Sequence, residues 1–428
     1  MDIKDIYNGY LKSRVISTDS RNITPGCIFF ALKGENFNGN RFAADAIALG
    51  ASLAVVDEDP EISDRRIIKV ENVLQTLMQL ATYHRKQLGI PVLAITGSNG
   101  KTTTKELCWA VLSKKFRVQA TQGNLNNHIG VPVTLLSLKD DCEFAIIEMG
   151  ANHHGEIDTL CNIALPDYGL ITNIGKAHLE GFGSIEGVAK AKGELIRYLM
   201  AHSKTIFLNA GNKWLAPQVP GDYPYVRRYN EPDGLRAAGL SCEPYLTFNL
   251  VNGVNKLIKT KLAGAYNTEN VLAACAAGLH FGISIDDIAD AIAGYEPKNN
   301  RSQIIKTERN SVFMDAYNAN PSSMNAAINE FLNSGNSEKM LILGEMREVG
   351  ADSASEHAEI IRLLKQKGCS KVYCIGNDFQ RPAAEAGYIH FQTVDQLIGL
   401  FASQPPSGYY ILVKGSRSNR LERVLEWL

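Results

Sequence analysis

Short apolar runs separated by longer, more polar stretches recur along most of the chain. Residues 91–96, Phe144-Ala145-Ile146-Ile147, Gly169-Leu170-Ile171-Thr172 and Thr205-Ile206-Phe207-Leu208-Asn209 carry no charge. A strand covered on both faces reads as such a run, and its alternation with helical segments predicts a parallel sheet packed between helices. The rhythm returns near 311–315, 340–344, 371–375 and 409–414, predicting a second, doubly wound sheet. Between the two, residues 245–262 predict a hairpin turning at Asn252-Gly253, and 268–281 a good helix. Near the N-terminus, strand candidates at 27–32 and 51–56 mix with helical stretches, and no nucleotide loop is present.

A chain of 428 residues exceeds what one core usually organises, about 250 residues. The polar stretch Gly294-Tyr295-Glu296-Pro297-Lys298-Asn299-Asn300 separates the 268–281 helix from the strand at 311–315. The expected organisation is α/β in three domains: a mixed α/β domain over 1–88, a central P-loop parallel-sheet domain over 89–298, and a Rossmann-like domain over 299–428.

Chemistry concentrates at the end of the first central strand. Gly97-Ser98-Asn99-Gly100-Lys101-Thr102-Thr103 follows the run 91–96 and precedes a helical segment over 105–112. Glycines let backbone N–H groups turn onto an anion, and a helix N-terminus adds partial positive charge. Lys101 would meet the β/γ-phosphates and the Thr102 hydroxyl a Mg²⁺ ion. The usual G-x-x-x-x-G-K-[ST] pattern would place glycine at position 95, where Ile95 stands, so this loop is a shorter variant. ATP is the ligand expected.

Other candidates are weaker from residue type alone. Glu148 ends an apolar run at the same sheet edge, which suits a Mg²⁺ ligand and a solvated strand-end acid equally well. A lone His178 after 170–174 reads more readily as a surface or satisfied residue than as a ligand. Lys192, in Ala189-Lys190-Ala191-Lys192-Gly193-Glu194, reads as a solvated helix lysine. Asn267 at a helix start reads as a cap, and Asp315 as a strand-end turn residue.

Balanced charge, 44 basic against 45 acidic residues, supplies no footprint for nucleic acid or an anionic membrane. No segment approaches the roughly 18 apolar residues of a membrane span, and Met1-Asp2-Ile3-Lys4-Asp5 opens no signal-like region, so a cytoplasmic protein without membrane insertion is expected. Eight cysteines with no C-x-x-C pair predict buried reduced thiols, without a zinc site or disulfide framework.

The loop segment TGSNGKTTTKE, with Gly123-Asn124-Leu125-Asn126-Asn127-His128-Ile129-Gly130-Val131-Pro132, Ala177-His178-Leu179-Glu180-Gly181-Phe182-Gly183 and Asp315-Ala316-Tyr317-Asn318-Ala319-Asn320-Pro321, resembles the Mur ligases. These are ATP-dependent amide-forming enzymes of peptidoglycan synthesis, and the resemblance spans 17–425. It points to the members that join D-alanyl-D-alanine to UDP-N-acetylmuramoyl-tripeptide through an acyl phosphate.

The resemblance implies a catalytic set of Lys101, Glu148, His178 and Lys192. It implies two Mg²⁺ ions held by Thr102, Glu148, His178 and a carbamylated Lys192. ATP would meet Gly97, Ser98, Asn99, Gly100, Lys101, Thr102, Thr103, Asn267, Asn270, Arg301, Asp315, Tyr317, Asn318 and Asn320. The 1–88 domain would bind the UDP-sugar through Ser17, Thr18, Asp19, Ser20, Arg21, Lys33, Gly34 and Glu35. Asn126, Asn127, Arg347, Lys414, Ser416 and Arg417 would complete the substrate contacts, in a monomer.

This sequence departs from the family pattern at Asn40, where many of these ligases carry histidine. The Asp-Asn-Pro-Arg motif common in the ligases that add the diamino acid is absent. Folylpolyglutamate synthetase lacks a UDP-sugar domain of the Ser17–Arg21 kind. A non-catalytic nucleotide-binding module would have no use for Glu148, His178 and Lys192 together. Whether the tripeptide ends in meso-diaminopimelate or L-lysine stays open.

Overall fold

Two six-stranded sheets carry the central and third parts of the chain. In the central sheet the strands lie in the order Val226–Tyr229, Thr205–Asn209, Tyr168–Ile171, Val92–Thr96, Phe144–Glu148, Val118–Ala120. All neighbours are parallel, with Leu93 opposite both Tyr168 and Ile146. All five residues of Val92–Thr96 are buried, which is why the sequence shows an unbroken apolar run there. The computed structural model describes residues 2–60, 62–251, 255–298, 300–335 and 338–428.

The two edge strands of this sheet were not legible in the pattern. Val118–Ala120 has three residues and Val226–Tyr229 contains two arginines, so neither makes an apolar run. An antiparallel sheet of Arg236–Cys242, Leu246–Val251 and Lys256–Lys259 follows. Its second pair is the expected hairpin; the turn at Asn252-Gly253 lies outside the described residues, and the strand Arg236–Cys242 was not anticipated. The helices Lys101–Leu112 and Thr268–His280 share one core, with Leu107, Cys108 and Val111 beside Val271, Leu272 and Cys275.

The third part has the order Gln303–Lys306, Ser311–Asp315, Tyr410–Lys414, Lys339–Gly344, Val372–Ile375, Ile389–Phe391. Only the first strand is antiparallel. The four inner strands match the expected doubly wound pattern; the two edge strands are partly exposed and left no run. Residue 299 of the expected linker lies outside the described residues.

The N-terminal part is a small parallel sheet, Ile16–Ser17, Ile28–Phe30, Leu53–Val56 and Ile67–Lys69, with a short Lys33–Gly34/Phe37–Asn38 hairpin. Its helix Val73–Leu88 starts where the Asn72 side chain accepts from Gln75 N and ends at Gly89, at φ 62°. This helix fastens the N-terminal part to the central one. Buried Arg85 donates to Ala164 O (3.0 Å), Leu165 O (3.1 Å) and Asp167 Oδ2 (2.8 Å). Tyr10 Oη donates to Leu136 O at 2.6 Å. All eight cysteines are free, and only Cys242 and Cys369 are even partly exposed. Among the described residues, no helix is long and apolar enough to cross a membrane.

Beside Tyr10 lies His84, 1% exposed, with Nδ1 3.1 Å from Tyr7 Oη and Nε2 3.4 Å from Tyr10 Oη. Burial, reinforced by the Arg14 charge, lowers its pKa to about 4. The native state therefore keeps His84 neutral while the unfolded chain protonates near pH 6.5. Stability should fall as pH drops from about 6.5 to about 4, by up to ~3 kcal/mol from this group. Thermal melting across that window should show the decline, and His84→Gln should flatten it; an identical slope in the variant assigns the acid sensitivity elsewhere.

Candidate active site

The phosphate loop is shaped by two glycines that no other residue could replace without movement. Gly97 stands at φ 144° and Gly100 at φ 77°. A Cβ on Gly97 would lie 2.0 Å from Thr172 Oγ1, and one on Gly100 2.4 Å from Asn270 Oδ1. Neighbouring segments hold the loop: Ser98 N donates to Asn173 O (3.0 Å) and Asn99 N to Asn173 Oδ1 (3.1 Å). The following helix begins at Lys101, so its unpaired N–H groups and positive end face the loop. Lys101 Nζ folds back onto Gly97 O (2.8 Å) and Ser98 O (3.2 Å). Its pKa is lowered by burial, with Glu148 opposing and Arg301 adding to the shift.

Glu148 is 2% exposed at the end of its strand. Thr102 Oγ1 donates to Oε2 at 3.0 Å, Asn126 Nδ2 donates to Oε1 at 2.8 Å, and Lys105 Nζ stands 3.8 Å from Oε2. The solvated-acid reading therefore does not hold. Lys105, which also donates to Thr121 O at 2.8 Å, escaped the sequence reading. Its spacing of four residues from Lys101 on one helix was the available signal. Thr102 and Glu148 form a pair of hard oxygen donors, the chemistry that suits Mg²⁺. No cluster of three or more His, Cys, Asp or Glu fit to hold a metal occurs among the described residues, so Mg²⁺ here would draw its remaining ligands from water and phosphate.

Lys192 is not the solvated lysine its neighbours suggested. Lys190 fits that description, but Lys192 is 0% exposed, donates to Ala151 O at 2.9 Å, and sits 5.2 Å over the Phe182 ring. Burial, followed by the charge of Lys101, holds its pKa well below the usual lysine value. His178, at φ 51°, is not a free surface residue either. Its Nδ1 lies 2.8 Å from Glu348 Oε2 of the third domain. That contact lowers the Glu348 pKa against the effect of burial. Glu348 was not singled out beforehand, because a glutamate in a charged loop carries no signal of what it faces.

On the far side of the loop, Asn270 Oδ1 accepts from Thr104 Oγ1 (3.0 Å), Asn270 Nδ2 donates to Asn267 Oδ1 (2.9 Å), and Asn267 Nδ2 donates to Ala263 O (2.8 Å). Asn267 occupies the helix start in a helical conformation, and its side chain makes no capping bond, so the cap reading is corrected. The Arg301 guanidinium lies 3.6 Å over the Tyr317 ring, with Nε buried and unpartnered. Asp315 accepts from Lys414 Nζ (2.6 Å) and Ser302 N (3.2 Å), which ties Lys414 to the candidate nucleotide residues. Asn320 caps the helix Pro321–Asn333 and donates to Asn99 Oδ1 at 2.7 Å, while Asn318 Oδ1 accepts from Ala319 N.

These groups line one cleft of about 1230 Å³ between the central and third domains. Ser98 to Thr103, Asn126, Asn127, Glu148, His178, Asn267, Asn270, Arg301, Asp315, Tyr317, Asn318, Asn320 and Lys414 are in its walls. Gly97 and Lys192 lie behind the lining.

The N-terminal candidates and three from the third domain do not reach the cleft walls. Asp19 pairs with Arg21 (2.8 Å), and Ser17 Oγ donates to Asp19 O and Asn22 O, leaving Ser17, Thr18, Asp19, Ser20 and Arg21 as a largely self-bonded turn. Lys33 pairs with Asp57 (2.9 Å) and Glu58 (3.0 Å), and Gly34 and Glu35 are exposed beside it. Asn40 donates to Asp57 Oδ1 and accepts from Asp57 N, so this departure from the family pattern has a structural task. Arg347 pairs with Glu345, Arg417 with Glu422, and Ser416 accepts from Arg347 N.

Three family models match in succession: Mur ligase family, catalytic domain, over 12–94; Mur ligase middle domain over 95–278; and Mur ligase, glutamate ligase domain, over 300–417. The UDP-N-acetylmuramoyl-tripeptide--D-alanyl-D-alanine ligase of Bacillus subtilis is 34% identical, the match covering 96% of this chain and 92% of that one. The protein of the same name from Escherichia coli is 35% identical, over 100% and 97%. Among solved structures, MurF from Acinetobacter baumannii superposes with a TM-score of 0.87 at 32% identity, over 96% and 92% of the two chains. MurF ligase from Thermotoga maritima in complex with ADP gives 0.85 at 26% identity, over 97% of each. With a phosphate loop beside Glu148 in a cleft between the central and third domains, and full-length relatives above 30% identity, this chain belongs to the Mur ligase family.

Proposed function

We propose that the chain is an ATP-dependent ligase that joins D-alanyl-D-alanine to UDP-N-acetylmuramoyl-tripeptide, yielding the pentapeptide precursor of peptidoglycan, ADP and phosphate. The carrying observation is the placement of Lys101 and Thr102 opposite Glu148 and Asn126 in a cleft closed by the third domain. The names and full-length match of the relatives supply the substrate identity. All the residues invoked belong to one chain, which accords with a monomer, and the reading places it in the cytoplasm.

ATP would settle with its β/γ-phosphates on the loop, where Lys101 exchanges its bonds to Gly97 O and Ser98 O for phosphate oxygens. Arg301, braced on Tyr317, brings a second cation to the nucleotide, and Asp315 offers a carboxylate to the ribose hydroxyls. The terminal carboxylate of the tripeptide attacks the γ-phosphorus, and the bond to ADP breaks. The amine of D-alanyl-D-alanine then attacks the acyl carbon, loses a proton, and phosphate departs. Two like-charged groups must approach in the first step, so positioning and charge neutralisation supply most of the acceleration. Mg²⁺, held at Thr102 and Glu148 with a second ion toward His178, would screen that repulsion. Lys192, whose pKa burial holds well below the usual lysine value, is suited to add to CO₂ as the neutral amine and, on losing a proton, to become a carbamate anion.

Phosphate release should require ATP, the tripeptide substrate and D-alanyl-D-alanine together, with a pentapeptide product identified by mass. Assays with meso-diaminopimelate and L-lysine forms in parallel would name the tripeptide; no release with either, from protein that binds ATP, would sink the reading. Lys101→Ala should lower kcat by about a thousandfold while leaving the melting temperature unchanged. Lys192→Ala should abolish ligation yet retain ATP binding. Because the neutral amine fraction of Lys192 rises with pH through its depressed pKa, the carbamate should be lost first on the acid side, and most readily in CO₂-depleted buffer. A ¹³C signal from labelled CO₂ that is present in the native chain and missing from Lys192→Ala would mark it; activity indifferent to CO₂ at every pH would count against it.

A further inference from the structure

Residues 173–181 run between the phosphate loop and the third domain, bonded on both sides. Toward the loop, Asn173 accepts from Ser98 N and Asn99 N, while Gly175 N donates to Ser98 Oγ (2.9 Å), which donates back to Gly175 O (3.1 Å). Toward the third domain, Lys176 N donates to Ser322 Oγ (2.8 Å) and Lys176 Nζ meets Glu356 Oε1 at 2.5 Å. Two glycines let the surfaces approach: a Cβ on Gly175 would lie 2.9 Å from Ser322 Oγ, and one on Gly350 3.1 Å from Glu180 Cα.

We infer that Lys176 and Glu356 are positioning residues for ligation, a charge latch that holds the helix Ser353–Gln366 over the phosphate-loop strap and couples nucleotide occupancy to closure of the third domain. The strap makes the coupling mechanical. Its backbone bonds report the position of Ser98 and Asn99, and its next residue carries the cation that the third domain grips. Asp352 and Glu359 also face Lys176, so the end of the domain that meets the strap is acidic as a whole. The uncharged bonds, Lys176 N to Ser322 and Asn320 to Asn99, set the register of the two surfaces.

The strength of the pair suits this role. Lys176 is 45% exposed and Glu356 10%. A pair in contact with water is weak, which lets the seam reopen for product release in each turnover; a fully buried pair would hold the product in place.

The inference rests on the ATP-ligase reading, and its test is chosen so the two can fail separately. Full-length wild type, K176E, E356K and the swapped K176E/E356K chain would be compared by small-angle X-ray scattering with Mg²⁺ and a non-hydrolysable ATP analogue, and by kcat/KM for D-alanyl-D-alanine. Each single variant should be more open with the analogue bound and lose roughly fivefold in kcat/KM, a difference that shrinks at about 0.5 M salt. The swap should recover most of both. Gly175→Ala, which pushes on Ser322 without touching charge, should open the seam in the same way and ignore salt. Unchanged scattering in the single variants, a kinetic loss without opening, or a swap no better than its parents at equal melting temperature would each overturn the latch. Should the wild type ligate nothing, the scattering comparison still decides it.

Discussion

The site is organised around buried cations crowded together at one end of the cleft. Lys101, Lys105, Lys192 and Arg301 gather about one end of the cleft, where Glu148, Glu156, Glu194 and Glu348 are carboxylates that act on them. Burial lowers the pKa of Lys101 and of Lys192, aided by Arg301 at the first and by Lys101 at the second, and Lys192 donates to the Ala151 carbonyl. Among the described residues, Arg301 Nε is buried without a hydrogen-bond partner. Crowded, desolvated cations are costly to bury, and a polyphosphate is the ligand whose charge suits them.

Holding these charges in place requires rigid backbone beneath them. The central parallel sheet provides it, since the phosphate loop, Glu148 and the strap at 173–181 all leave the carboxyl edge of adjacent strands. Close approaches at Gly97 and Gly100 then lock the loop against Thr172 and Asn270. The N-terminal part is fastened to that scaffold through Arg85 and Tyr10, and the third domain is joined through the half-exposed Lys176–Glu356 pair, the Asn320–Asn99 hydrogen bond and the packing of Leu179.

Strands buried on both faces announce themselves as runs, so the interior of both large sheets was legible, as was the phosphate loop with its fixed order of strand, glycines, lysine and threonine. Edge strands such as Val226–Tyr229, Gln303–Lys306 and Ile389–Phe391 were not, because one face meets water and the apolar signal vanishes. Residue type also misled in both directions. Lys190 and Lys192 look alike in the chain, but one is solvated and the other lies at the centre of the chemistry. Asn267 looked like a cap and instead bonds Ala263. Arg347 and Arg417, expected among the substrate contacts, are paired in this structure with Glu345 and Glu422.

The sequence alone determined the sheet interiors, the phosphate loop and, through its extended resemblance, the family, because each is written in residues close together along the chain. Tertiary structure alone decided which side chains meet: in the cleft Glu148 with Thr102 and Asn126, His178 with Glu348 and Lys414 with Asp315, and beside it Lys176 with Glu356. Those partners are separated by 22 to 180 positions. Burial, pKa and pairing depend on distances in space, and local sequence pattern carries no record of them.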